Sequence, residues 1–529
     1  MANITPLEIC ERVERRVRTA SVLIFAALCM QITPAHAQAT PKTPDVPPPD
    51  PRIKQVTPAP ANIGTAEPKP AFEFKPRGVV DFTYTNNVLV TNTDKKPDVI
   101  VSSAAGFTLT GDTARTTYSI DSDAHYDEYI ATKRLSGLRV TGRATANTDI
   151  VDQLLSINAR AATDQQRIDP FNGTPASTRS FGGNQSQILN YGATPKLNWR
   201  FGNFASVVTT YDVSLVNYLS TAGAPVGGAP SALSNDSVQQ SVRANVDSGS
   251  LFDRLTWNAQ GSILRQEQSN SSTSSDRREI EGSLLYELMP NLKVVGTGGY
   301  DDIKESTLPG LRGGVHVTGG VRWTLSRRTS VTFDAGRRYR SPYYSGLATY
   351  SPGQSIKLRT SYSESVDTPQ GLAIQNLGGL VRDNLGNLID PISGLPSDPN
   401  NNPFGQNNQA FLRKALEVGI EGTLGRNRYN ISGTHERRIS TATSTSLKGS
   451  VGVGRQLSQS LRAGLTLSYD KISGGVVART SETLRANTAL DYTLGASTTA
   501  SLTYYFQRID AAPTRTREHA VVLKLKRDF

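Results

Sequence analysis

The chain has 529 residues, with 57 Lys and Arg against 46 Asp and Glu and a formal net charge of +11 at pH 7. Past Met30 no stretch approaches the roughly eighteen consecutive apolar residues of a membrane helix, and the mean hydropathy is −0.37, which excludes a helical membrane protein. Both cysteines, Cys10 and Cys29, lie near the N-terminus, so the remainder has no disulfide framework and no thiolate metal site.

In chain order, Arg12, Arg15, Arg16 and Arg18 precede an apolar run from Ser21 to Met30, and Ala35-His36-Ala37 follows as a small-residue cleavage signal. Residues 1–37 therefore read as a secretory leader, with cleavage after Ala37 or, alternatively, Ala39. Leu28 stands before Cys29 where lipoprotein processing wants a small residue, which argues against lipidation. Residues 38–76 hold 11 of the 29 prolines, Pro47, Pro48, Pro49 and Pro51 among them, and few large apolar side chains. Such a segment cannot bury a core, and it is expected to be a disordered, partly polyproline periplasmic tether, either passive or docking a partner.

From Arg77 to Phe529 the sequence alternates with period two. Val315, Val317, Val321 and Trp323 are interleaved with His316, Thr318 and Arg322, Leu461, Leu465 and Leu467 with Arg462, Thr466 and Ser468, and Leu502, Tyr504 and Phe506 with Ser501, Thr503 and Gln507. Strands of this kind lie between lipid and water, or half-buried in a soluble sandwich. The connections favour the first. Short links such as Gly202-Asn203, Met289-Pro290-Asn291 and Gly425-Arg426-Asn427 alternate with long polar ones at 87–97, 168–184, 218–234, 268–275 and 367–411. Tight periplasmic turns alternating with long external loops are the mark of a membrane barrel.

The expected fold is all-β, a single large antiparallel transmembrane β-barrel over 77–529 of about 22 strands, roughly 18 to 22 if the weakest are loop. Pro195 inside one segment and the brevity of Pro342 to Tyr350 weaken the count. Trp199 and Trp323 beside short turns, and Tyr84, Tyr126, Tyr300 and Tyr469 near the other strand ends, suit two aromatic girdles. Siderophore-type transporters of similar strand number carry an N-terminal plug. Residues 38–76 are too few for one, so the expectation is a barrel with no plug domain.

Charge on the inward face is the candidate functional feature. Asp121, Asp123, His125 and Asp127 alternate with Tyr118, Ile120, Ala124 and Tyr126, which turns three carboxylates and an imidazole to one side. They bind a cation or do acid–base chemistry on one reading; on the other they pair across the wall with Arg139 and Arg143, a hairpin centred near Ala131 setting Asp123 opposite Arg139. Further inward cations are expected at Arg160, Arg243, Arg322, Arg338, Arg359, Arg462 and Arg485. Such a wall concentrates anions unless lumen carboxylates offset it. The loop 367–411 is long enough to fold over the pore mouth, and its Asp383–Asn387 and Asp398–Pro403 runs lack the spacing of a helix–loop–helix calcium site. No histidine has metal-ligand spacing, and neither a nucleophile elbow nor a phosphate-cradling glycine loop is present, so the chain reads as non-enzymatic and cofactor-free. The compartment excludes nucleic acid as a partner despite a pI near 9.5.

The last strand sets Val521, Leu523, Leu525 and Arg527 against Lys524, Lys526 and Asp528 and ends on Phe529. It resembles the closing strand of bacterial outer-membrane barrels, whose assembly machinery reads a terminal aromatic; Phe529 is the assembly signal on that likeness. Two regions, Phe82-Thr-Tyr-Thr-Asn-Asn-Val88 with Asp98 to Phe107, and Tyr286 to Tyr300 with Gly336-Arg-Arg-Tyr-Arg340 and Thr360-Ser-Tyr-Ser-Glu364, resemble the β-barrel porins found beside exopolysaccharide and capsule export loci. The resemblance implies an integral outer-membrane conduit for a secreted polysaccharide, with outer-membrane lipid, the barrel assembly machinery and periplasmic polysaccharide-export proteins as partners. A general diffusion porin for small anionic solutes and a structural or adhesive barrel with an occluded lumen are the alternatives.

Overall fold

The computed structural model describes residues 72–529 except 168, 170, 172–184, 220–235, 270–274, 306–307, 309–312, 373–380, 383–387, 390–403, 405–409, 476–478 and 512. The expected leader, the expected tether up to residue 71 and the acidic runs of the 367–411 loop lie outside the described residues.

The strands in order are β1 (Phe72–Thr85), β2 (Asp98–Asp112), β3 (Thr116–Tyr129), β4 (Gly137–Val151), β5 (Leu155–Arg167), β6 (Gln185–Phe201), β7 (Ala205–Leu219) and β8 (Ser237–Ser248). Then come β9 (Leu255–Gln268), β10 (Ser275–Met289), β11 (Leu292–Lys304), β12 (Gly314–Ser326), β13 (Thr329–Arg338), β14 (Ser341–Tyr350) and β15 (Ile356–Asp367). A two-residue hairpin, β16 (Val381–Arg382) and β17 (Leu388–Ile389), precedes β18 (Phe411–Leu424), β19 (Asn427–Ile439), β20 (Thr443–Gln456), β21 (Leu461–Gly474), β22 (Arg479–Leu494), β23 (Thr498–Ala511) and β24 (Thr514–Asp528). All but the small hairpin form one 22-stranded sheet, each strand antiparallel to its neighbours in sequence, and β1 pairs with β24 to close it. Closure removes both sheet edges, so the wall can satisfy its backbone groups without water.

Alternation decides which residues face out. Leu465, Leu467, Leu484, Leu490, Leu502, Leu523 and Leu525 are all 42–52% exposed, a continuous apolar band on the outside, while the residues between them turn inward. Near the short turns the band is edged by rings: Phe204, Phe252 and Trp257 pack together with centroids 5.7–5.9 Å apart, and Trp199, Trp323, Tyr350 and Tyr492 are exposed at the same end. That end carries both β1's start and β24's finish. With the tight turns it is the periplasmic rim.

Three local features differ from expectation. β1 begins at Phe72, inside the segment expected to be tether, because the outward alternation of Phe72 and Phe74 already starts there and Phe74 stacks on Phe107 at 5.6 Å. Pro76 is tolerated at the end of the ladder to β24, where its carbonyl accepts from the Phe529 N–H and only its missing donor is lost. Pro195 needs no bulge: the β6–β7 ladder lapses at Thr194 and Pro195 and resumes at Lys196 in the same register. The stretch from Pro342 to Tyr350 is a full member of the wall, although β13 and β14 have only 10 residues each and form a notch in the external rim.

Candidate functional site: the inner wall and external mouth

Arg338 on β13 reaches Glu279 on β10 at 2.7 Å, past β11 and β12. Side chains on a convex surface diverge, so contact across two intervening strands places this face on the concave side. The residues sharing its alternation therefore line the lumen.

The first inner network gathers around Arg77. Its Nε donates to Asp123 at 2.6 Å, its terminal nitrogens donate to the two Asp121 oxygens at 2.9 Å each, and Nη1 also donates to Thr108 at 2.8 Å. The guanidinium passes over Gly106, where a Cβ would stand 1.9 Å from Asp123 Oδ1, so glycine is what lets β1 and β3 meet across β2. Higher on β3, the fully buried Asp127 accepts from Arg139 Nε of β4 at 3.2 Å. The expected pairing is thus corrected by register. Asp123 lies opposite Thr141, His125 opposite Arg139 and Asp121 opposite Arg143, because the β3–β4 tip includes a 3₁₀ turn at Lys133–Leu135 and is centred one residue beyond Ala131.

A second network joins β10 to β13. Arg338 holds Asp301 at 2.8 Å as well as Glu279, and His316 stands between Glu281 and Asp301 at 3.1 Å to each. Gly299 makes room for the imidazole, as a Cβ there would approach the ring to 2.5 Å. Burial pushes the neighbouring Tyr339 phenol, in the β13–β14 turn, above its ordinary range. Below, Arg322 pairs with Asp334 at 2.8 Å. Gln260, Glu281, His316, Arg322, Asp334 and Tyr343 bound a hollow of about 320 Å³ in the wall. Arg160 likewise pairs with Asp212 at 2.6 Å and donates to Thr194. Arg485 donates to Gln507 at 2.7 Å and Arg462 to Gln456 at 3.3 Å, while Arg243 and Arg359 are exposed on the inner face.

The external mouth is crossed by chain. Arg277 of β10 donates to the Val366 carbonyl near the end of β15 and pairs with Glu305 at 3.0 Å. Val366 faces outward by alternation, yet it is buried with Leu308, Ala410 and Leu412 against Ile303, an inward residue of β11. The tops of β15 and β18 therefore lean in over the β13–β14 notch. Thr368 then donates to Gln266 on β9 at 2.7 Å, and Gln266 donates to Gln370 at 3.3 Å, both glutamines being 1% exposed. Residues 366–372 form a strap from β15 to the inner wall at β9 and β10. On the other side of the same loop, Phe404 and Phe411 sandwich the Arg438 guanidinium at 4.2 Å each, and Arg438 donates to Glu436 at 2.6 Å. Sequence reasoning missed Arg77, Gln266, Thr368 and Gln370, and only the inward parity of Arg77 and Gln266 signalled them. Among the described residues no group of three His, Cys, Asp or Glu side chains is arranged to hold a metal ion.

A closed barrel with a lipid-facing apolar band, an ion-paired inner wall and a periplasmic rim of tight turns has one place to reside. The chain is an outer-membrane β-barrel.

No family model matches it, and no curated protein is significantly similar. Among solved structures it is similar to the FrpB iron transporter of Neisseria meningitidis (12% identity, 86% of this chain and 82% of that one, TM-score 0.47). It is similar too to a variant of the ferric enterobactin receptor PfeA of Pseudomonas aeruginosa (10%, 86% and 80%, TM-score 0.46). The siderophore receptor PirA of Acinetobacter baumannii is a third (10%, 86% and 80%, TM-score 0.44). Identity this low speaks to fold alone.

Two expectations are corrected. The plugless barrel, set apart from siderophore-type transporters, rested on chain length; the barrel's solved likenesses are those receptors, and length limits a plug's size without excluding one. The polysaccharide conduit, the diffusion porin for anionic solutes and the adhesive barrel are likewise not met among the similar structures, which are named as receptors and an iron transporter. A strap over the β9–β15 side of the mouth narrows it, and Arg160, Arg322 and Arg338 are neutralised by carboxylates rather than presented to anions.

Proposed function

We propose that this barrel is a receptor-type outer-membrane transporter, which captures a polar ligand at its external mouth and admits it by displacing the strap. The observation that carries this reading is the anchoring of residues 366–372 on β9 and β10 through Thr368, Gln370 and the Val366 carbonyl. A strap held by two neutral hydrogen bonds, each worth about 1 kcal/mol net, and one from the Arg277 guanidinium, worth roughly 1.5–3 kcal/mol, can be exchanged for contacts with a ligand. The hollow between Glu281 and Arg322 lies deeper in the lumen, six residues of β9 below Gln266, or roughly 20 Å along the strand, and offers both donors and acceptors to a passing solute.

The test is planar-bilayer conductance of the refolded barrel with and without Gln266→Ala/Thr368→Ala. Small or intermittent conductance in the unaltered protein, made larger and steadier by the double variant, is the expected outcome. Ferric enterobactin and other ferric siderophores, named for the similar structures, are the first ligands to add. A large, steady conductance in the unaltered barrel, insensitive to the variant and to every ligand, would sink the proposal.

A further inference from the structure

The outward face is not evenly charged around the external rim. On the β9–β11 arc, Arg265, Arg278 and Lys304 are matched by Glu267, Asp276 and Asp302, with Arg265–Glu267 at 2.7 Å and Lys304–Asp302 at 3.7 Å. On β23 and β24 the balance fails. Arg508, Arg515 and Arg517 face outward with Asp510 as their carboxylate, which takes Arg508 at 2.5 Å and Arg515 at 2.6 Å. The register sets Arg508 directly opposite Arg517, and like charges directly across a ladder repel. Arg517 is exposed and makes no ion pair among the described residues. The neighbouring strand β22 adds Glu482, opposite Asp510 and attracting Arg508, but Glu482 is taken by Lys471 of β21 at 2.8 Å, so three arginines and a lysine share two carboxylates.

The height of the patch identifies what faces it. Leu502, Tyr504 and Phe506 lie below Arg508 on the same outward face, and Val521 and His519 lie below Arg517. The cations therefore begin where the apolar band ends, at headgroup level of the external leaflet. Tyr504 and His519 are tied by a 2.8 Å hydrogen bond that closes the top of the band.

We propose that Arg508, Arg515 and Arg517 form a docking surface for the phosphorylated saccharide headgroup of an outer-leaflet glycolipid. An anion set between the facing guanidiniums turns their repulsion into paired charge-assisted hydrogen bonds, the geometry arginine makes well with phosphate. The inference depends on the outer-membrane location and the rim charges, and is independent of what the lumen carries.

The experiment uses the full mature barrel in detergent, with native mass spectrometry and lipid titration. The probes are bisphosphorylated lipid A and the same lipid stripped of phosphate. The unaltered barrel is expected to retain the phosphorylated lipid with at least tenfold preference, and Arg508→Gln/Arg515→Gln/Arg517→Gln to bind both alike. A control, Arg265→Gln/Arg278→Gln, should keep the full preference. Arg517→Gln alone, which leaves both Asp510 pairs intact, should lose part of it and covers the case in which the triple variant fails to fold. Equal binding of the two lipids by the unaltered barrel, or equal loss in the control, overturns the proposal.

Discussion

Arg77 of β1 and Asp123 of β3 meet at 2.6 Å with both side chains buried, over a glycine of the strand between them. One residue type at position 106 decides whether the pair exists. Gly106→Ala should lower unfolding stability by roughly 3 kcal/mol or more, combining overpacking with the stranding of a buried charge. Arg77→Gln should do similar damage, and the double variant should cost less than the sum, because each change removes the same contact. Urea unfolding of the refolded barrel reads all three; strict additivity would mean that Gly106 and Arg77 act separately.

Arg338 is the cation that Glu279 and Asp301 share with His316 close by, so Arg338→Met should destabilise more than loss of a single surface pair. About 3–5 kcal/mol is expected for breaking a buried ion pair. The companion Arg359→Met, at an exposed inner position, should change stability by less than about 0.5 kcal/mol. Matching midpoints for the two variants would show that the β10–β13 network adds nothing.

At Pro195 the ladder has a gap that a donor could fill. Pro195→Ala restores an N–H to β6 and should raise stability by about 1 kcal/mol, with slower amide exchange at residues 194–196. Faster exchange there would mean that the proline's fixed backbone matters more than its missing donor.

The Phe529 N–H donates to the Pro76 carbonyl at 2.9 Å, and the ring of the same residue lies 5.2 Å from the Arg527 guanidinium. Deleting Phe529 should reduce the amount of heat-modifiable barrel in cells several-fold while changing the stability of barrel refolded in vitro by less than about 1 kcal/mol. A stability loss matching the loss in cells would assign the residue to the wall rather than to assembly.

The two faces of the wall were legible in the sequence because strand geometry turns period two directly into inside and outside; Leu523 and Lys524 need only be neighbours to be assigned opposite sides. Strand number followed from the same alternation plus turn lengths. Register was not legible where a tip contains its own 3₁₀ turn, so Asp123 was placed opposite Arg139 instead of Thr141. Contacts that skip strands were beyond reach as well. Nothing near Gln266 announces Thr368, and nothing near Arg77 announces Asp121, because curvature of the closed sheet, rather than any local pattern, brings them together.

The wall is not equally stitched along its circumference. Most ladders hold a dozen or more paired positions, whereas β14 and β15 share five, Gly346 to Tyr350 against Leu358 to Tyr362. Above those five positions β15 parts from β14 but stays paired with β18 up to Asp367, and from there it becomes the root of the strap. The cooperative unit that opens first under thermal agitation is therefore the seam beside the strap's own anchor point. A fluctuation that parts this seam leaves β15 held by β18 alone, so breathing of the wall moves the root of the strap with it.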